Sequence, residues 1–199
     1  MKISREQVAE NRQRILEAAA RMFRERGFED VTVAEVMNAA GLTHGAFYGH
    51  FTSKDDLIAQ ALAHVLTPPA DGSAPRLPED LTEFAALYLS AAHRDAPGGA
   101  CLFSTLGSEA VRASGEARHT LTLSVQSQIG KFSESAPGET ADERRQAATG
   151  AWAAMIGAVM LARIVDDPAL SDQLLADTKA WLDARNTPAA PTTPVCGPS

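Results

Sequence analysis

The chain has 199 residues, enough for one or two domains with a real core, and its 45% apolar and 22% charged content is ordinary for a globular protein. A formal net charge of -7 argues against generic binding of polyanions. No apolar run approaches the ~18 residues of a membrane span, and MKISREQVAENRQRIL lacks the apolar stretch and cleavage site of a secretory signal.

Two distant cysteines, Cys101 and Cys196, suit a reducing cytoplasm better than a disulfide scaffold, so a cytoplasmic location is expected. The charge is unevenly spread. Residues 1–26 hold seven Lys/Arg against four Glu, whereas residues 61–199 hold ten basic and sixteen acidic groups. A basic end can meet nucleic acid, although a solvated helix face explains the charge equally well.

Helical periodicity dominates and no alternating strand stands out. A first helix is expected from about Arg5 to Arg26, with Val8, Ile15, Ala19, Met22 and Phe23 inside and Gly27 closing it in a left-handed conformation. Thr32-Val33-Ala34-Glu35 is a capping box, with Val31 and Val36 at hydrophobic-staple spacing. That helix runs to about Ala40, and Gly41 provides a tight exit. Thr43 is the next N-cap, with Leu42 and Phe47 as its staple, and Ser53-Lys54-Asp55-Asp56 opens a further helix.

Helix, glycine turn, helix is the helix-turn-helix pattern, whose second helix enters the major groove by its N-terminal end. A purely structural three-helix corner fits the spacing too. The stretch GLTHGAFYGHF, residues 41–51, is glycine-rich and weak in helix propensity, so inward Phe47 and Phe51 must hold it. Gly45 and Ala46 keep its leading turn slim enough for unpaired N–H groups to meet phosphates. Tyr48 and His50 can donate to backbone oxygens, and Lys54 adds a point charge; His50 as a mere helix-end cap is the alternative.

Residues 10–66, above all RILEAAARMFRERGFEDVTVAEVMNAAGLTHGAFYGHFTSKDDL, resemble the DNA-binding domain of the TetR/AcrR family of bacterial transcriptional regulators. The resemblance implies an all-α homodimer with a ligand-binding C-terminal domain, usually acting as a repressor. It also implies that Thr32, Thr43, His44, Gly45, Ala46, Tyr48, Gly49, His50 and Lys54 occupy DNA-contact positions. Gly49 departs from relatives that carry a larger side chain there. Thr43, His44 and Tyr48 are then the chief base readers, and methyl contacts and DNA shape supply part of the specificity.

Between Thr67 and Pro78, TPPADGSAPRLP reads as a linker. This gives a DNA-binding domain over 1–66, with its helix-turn-helix about 32–51, and a helical effector-binding and dimerisation domain over 79–185. The tail 186–199, with four prolines in fourteen residues, is expected to be disordered. Helices are expected near 79–94, 102–113, 115–134, 140–165 and 171–185.

By resemblance, the last two helices pair with those of a second copy. Ala148, Trp152, Met155, Val159 and Ala162 form one apolar stripe, and Leu174, Thr178, Trp181 and Leu182 another, although ordinary internal core explains such stripes as well. Phe84, Leu87, Tyr88, Cys101, Phe103, Leu106, Leu121, Val125, Trp152 and Met155 are candidates to line an effector pocket, whose poverty in polar groups suits an apolar or aromatic ligand.

Cys101 stands at a helix start after Pro97-Gly98-Gly99, where a helix N-terminus favours thiolate. Its Gly-x-Cys-Leu context resembles a TetR branch with some electrophile- or oxidant-responsive members. No basic residue is close in sequence, Arg94 and Arg112 being nearest, and a buried inert cysteine is the common outcome.

The five histidines (44, 50, 64, 93 and 119) are dispersed, and HExxH, nucleophile-elbow, phosphate-loop and CxxC motifs are absent. His93-Arg94-Asp95 reads as a solvated helix end. Neither an enzyme nor a metal or cofactor site is expected. The partners implied are an operator duplex, a second copy of the chain and a small-molecule effector, with no membrane. A helical protein-interaction scaffold without DNA binding is the rival.

Overall fold

A computed structural model of the protein describes residues 4–67, 77–99 and 101–186. The fold is all-α, and no strand occurs among the described residues. Helix α1, Arg5–Arg26, begins at Ser4, whose Oγ accepts the Gln7 N–H at 3.1 Å. It buries Ile15, Leu16, Ala19 and Phe23. Val8 was expected inside and is 41% exposed, because the first turns of α1 stand clear of the core. Gly27 has φ 85° and ψ 171°: the positive φ is as expected, but ψ is extended rather than left-handed helical.

Helix α2, Val33–Ala39, has both arms of the Thr32/Glu35 capping box. It ends in a Schellman motif: Gly41, at φ 71°, donates to the Asn38 carbonyl at 2.9 Å, and Leu42 donates to Met37 at 2.8 Å. A six-residue 3-10 helix, His44–Gly49, follows, and then α3, Lys54–Leu66, capped by Ser53. Val31, Val36, Met37, Phe47, Phe51, Leu57 and Leu62 join Ile15 and Phe23 in one buried cluster. That cluster is closed by residues far along the chain: Leu102, Leu106 and Ala110, then Ala117 and Leu121.

The helix expected over 79–94 is two helices, α4, Leu81–Tyr88, and α5, Ala91–Asp95. Ser90 breaks it by accepting the His93 N–H at 3.2 Å and so capping α5. A 3-10 turn, Pro97–Gly99, leads to α6, Leu102–Ala110, which ends three residues short of expectation in tight turns from Arg112 to Glu109 and Ala113 to Ala110.

Helices α7, Gly115–Ser135, and α8, Ala141–Ile164, follow, the latter opening on a second capping box, Thr140/Glu143. Helix α9, Pro168–Asn186, starts earlier than the expected residue 171. Pro168 occupies the first helical position and Asp167 accepts the Ala169 N–H at 2.9 Å, so the proline opens the helix instead of breaking it.

A second core joins α4, the end of α7, α8 and α9. Its centre is aromatic: Phe84 lies 4.7 Å from Phe132, and Trp152 meets Phe103 edge-on at 5.1 Å. By length and composition α8 could cross a membrane, with mean hydropathy 1.5 over its most apolar 18 residues. Here its Trp152, Met155 and Val159 side chains fill the second core.

That corrects the expected dimer stripe. Ala148, Trp152, Met155, Val159, Ala162 and Leu182 are buried inside their own chain and offer nothing to a second copy. Leu174 and Thr178 are half-buried, and Trp181 is 45% exposed with the Arg185 guanidinium 3.8 Å above its ring. The expected linker at 68–76 and the tail at 187–199 lie outside the described residues.

Candidate nucleic-acid interface and the groove behind it

The segment 41–51 folds as a scaffolded apex. Two glycines and two aromatics in six residues give it little intrinsic helicity, and it takes the tighter 3-10 form instead of the α-helix expected. Phe47 is buried and lies 5.7 Å from the Phe51 ring, pinning one side. Arg12, from α1, holds the other end: its Nη1 donates to the His50 carbonyl at 3.3 Å and its guanidinium lies 4.8 Å from the Phe51 centroid. Thirty-eight residues separate Arg12 from His50, so no local pattern could have pointed to that anchor.

With Phe47 and Phe51 turned in, Thr43, His44, Gly45, Tyr48 and Gly49 are exposed on the outer side, and Tyr48 is 73% exposed. Ala46 and His50 are half-buried. Thr43 stands at the N-cap position but makes no side-chain cap bond, contrary to expectation. Burial first, and then the Arg12 charge, push the His50 imidazole below its ordinary pKa, so it stays neutral near pH 7.

Thr32 is exposed, and its hydroxyl donates to Glu35 Oε2 at 2.7 Å. Lys54 Nζ donates to the Glu29 carbonyl at 3.3 Å, bracing the loop before α2. Arg26 pairs with Glu35 at 2.8 Å.

Behind the module, α6 and α7 enclose an open groove of about 540 Å³ lined by Phe103, Gly107, Ala110, Val111, Gly115, Arg118, His119, Leu121, Thr122, Val125 and Gln126. Only Phe103, Leu121 and Val125 of the expected pocket residues face it. Phe84, Tyr88, Trp152 and Met155 pack in the second core, Leu106 in the first, and Leu87 is 51% exposed elsewhere.

Cys101 is half-buried beside groups that sequence spacing did not reveal. Its N–H donates to His93 Nε2 at 3.2 Å, while His93 Nδ1 lies 2.7 Å from the Tyr88 carbonyl, which fixes the proton on Nδ1. His93 and Arg94 are therefore no solvated helix end, since Arg94 also reaches Ser171 Oγ at 2.8 Å and Asp172 at 2.6 Å. Arg24 and Arg163 lie within electrostatic range of Cys101. Arg163 donates to the carbonyls of His93, Arg94 and Ser104 at 2.9–3.1 Å. Burial foremost, with the neighbouring Cys101 next, raises the Tyr88 hydroxyl.

A capped helix that meets a 3-10 helix through a Schellman turn and presents an uncharged apex on an aromatic prop defines a helix-turn-helix module at the head of an all-α protein. Residues 15–61 match the family described as bacterial regulatory proteins, tetR family. The chain is 39% identical over 57 residues to the HTH-type transcriptional regulator AcrR of Shigella flexneri, covering 29% of this chain and 26% of that one. It is 44% identical over 59 residues to the HTH-type transcriptional regulator TtgR of Pseudomonas putida, covering 30% and 28%. The match thus spans about a quarter of the length of those curated relatives. The fold resembles that of the reduced form of Escherichia coli NemR, with a TM-score of 0.68, 20% identity, and coverage of 90% of this chain and 99% of that one.

Proposed function

We propose that the chain is a homodimeric transcriptional repressor of the TetR type, released from a pseudo-palindromic operator by a small apolar effector. Residues 1–66 form the DNA-binding part, and 79–185 bind effector and mate. The observation that carries the reading is the exposed apex: Tyr48, His44 and the two glycines stand outward while both phenylalanines are buried. An N-terminal turn with free N–H groups and small residues suits phosphate approach, and Thr43, His44 and Tyr48 supply base contacts.

Dimerisation uses the outward side of α8 and α9. Gly150, Ala153, Gly157, Leu161 and Ile164 share one exposed or half-exposed side of α8, and Ala176, Ala180, Trp181 and Ala184 are exposed on α9. A two-fold dimer sets two recognition helices about 34–36 Å apart. The effector occupies the α6–α7 groove and favours a state with the wrong spacing; operator DNA then weakens effector affinity by the same factor. The test is a gel-shift with DNA upstream of the gene at several salt concentrations, followed by binding-site selection. A two-fold symmetric selected sequence is expected, and a protein that shifts all sequences alike, or none, overturns the reading in favour of the scaffold.

A second trigger, an electrophile or oxidant at Cys101, is favoured by one observation: the half-buried thiol stands at the head of α6, where the Arg163 guanidinium donates to the nearby His93 and Ser104 carbonyls. Alkylation that still releases DNA from the Cys101→Ser variant removes Cys101 as that trigger.

A further inference from the structure

The contact between α6 and the turn that ends α1 is unlike the rest of the surface joining the N-terminal module to the C-terminal helices. That surface is built of Leu102, Leu106, Ala110, Ala117 and Leu121 against the buried face of the module, and apolar contact is non-directional. At one edge, however, Glu109 Oε2 accepts the backbone N–H of Phe28 at 2.6 Å, across 81 residues of chain. Charge-assisted bonds of this kind are short, strong and directional.

Gly27 makes the bond possible. With φ 85° it adopts a backbone that L side chains rarely take, and a Cβ there would run into the Glu109 carboxylate. On its other side the last turn of α1 rests on the Pro97–Gly99 turn, where a Cβ at Gly98 would meet the Glu25 carboxylate.

From Phe28 the fixed geometry runs straight into the module. The Phe28 ring packs edge-on to Phe23 at 5.4 Å, Glu29 accepts from Lys54, Asp30 accepts from Arg26, and Thr32 opens α2. Resting on the regulator reading above, we propose that Glu109 is a positioning residue: its carboxylate clasps the 27–32 turn and sets the angle at which each DNA-reading module leaves the C-terminal helices. The clasp sits beside Ala110 and Val111, which line the α6–α7 groove, so a ligand seated there presses on the residues next to the carboxylate.

The test compares the full-length wild type with Glu109→Ala and Glu109→Gln. Alanine is the better helix former, so α6 is not weakened by the change, and glutamine keeps an acceptor without the charge. Amide exchange by NMR reads the clasp itself. In Glu109→Ala the Phe28 amide is expected to exchange at least about tenfold faster while Met37 and Leu57 amides hold their rates. Affinity is then measured for the selected two-fold operator and for a single half-site.

Loss of angular preorganisation lowers full-operator affinity by about tenfold in Glu109→Ala, leaves the half-site within about twofold, and is partly restored in Glu109→Gln. Unchanged Phe28 protection, unchanged full-operator affinity, or equal losses on half and full sites each overturn the proposal, the last reducing Glu109 to a stability role. A wild type with no sequence preference instead overturns the regulator reading itself, and the positioning role falls with it.

Discussion

Gly45→Ala separates what the apex costs in stability from what it does. Positive φ angles occur among the described glycines only at Gly27, Gly41 and Gly138, so alanine can take the Gly45 backbone without strain. A Cβ built there meets no atom within 4 Å. Glycine in a helix interior is about 0.5–1 kcal/mol worse than alanine, and a short 3-10 helix takes the lower end of that range. At roughly 2–4 °C per kcal/mol for a chain of this size, the melting midpoint is expected to rise by about 1–2 °C.

On DNA the sign reverses. A methyl on the leading turn holds the backbone off the duplex by about a methyl radius, enough to break an N–H to phosphate bond that needs roughly 2.9 Å. Such a bond to a charged group is worth about 1.5–3 kcal/mol, which is tenfold or more in affinity. Thermal melting and gel-shift on the selected operator read the two effects in one preparation. A variant that binds as tightly as wild type, or that melts below it, would refute the claim that glycine stands here for approach to DNA.

Other substitutions probe neighbouring links. Phe47→Ala removes a buried prop and is expected to cost about 3–5 kcal/mol in denaturant unfolding, whereas Tyr48→Ala, on the exposed side, stays within about 0.5 kcal/mol yet loses operator affinity. Matching losses of stability in the two would dismiss the inside–outside assignment. Glu35 is held at about 2, below its ordinary 4.5, chiefly by the Thr32 N–H and then by Arg26. Its contribution is therefore complete above pH 4.5 and fades as pH falls through about 2, so the melting gap between wild type and Glu35→Gln should close on acidification; a gap that widens is the contrary result. Leu161→Glu with Ile164→Glu places two charges on the outward side of α8 and is expected to yield a folded monomer by sedimentation at micromolar concentration, where persistence of a dimer would clear that face of any role.

Much of the module was legible because its signals are local. Capping boxes, staples and a left-handed glycine act within five residues, and they located α2, the Gly41 turn and the α3 start. Contacts between distant parts of the chain were not legible: Arg12 on His50, Glu109 on Phe28 and Arg163 on the His93 and Ser104 carbonyls join positions dozens of residues apart. The break at Ser90 was present in the sequence as a capping residue, but an uninterrupted apolar pattern on both sides hid it. Pro168 misled in the opposite way, since a proline that ends one helix can equally begin the next, and only Asp167 as its cap decides between them.

The misplaced dimer stripe has a different origin. On α8 the positions 148, 152, 155, 159 and 162 repeat with helical spacing, and so do 150, 153, 157, 161 and 164. Periodicity alone cannot choose between two apolar faces of one helix. Side-chain size does. The core between α4, α7 and α9 is deep enough to take Trp152 and Met155, so the largest residues turn inward, while Leu161 and Ile164 remain on the outward face near the end of the helix. The outward face keeps Gly150, Ala153 and Gly157, with no atom within 4 Å of a Cβ at either glycine. Small residues on an open helix face bring no gain to a monomer in water, but they let a second helix approach to about 8–10 Å. A helix that is apolar on every side is buried on every side, and on the homodimer reading proposed above a second copy of the chain would cover this face of α8.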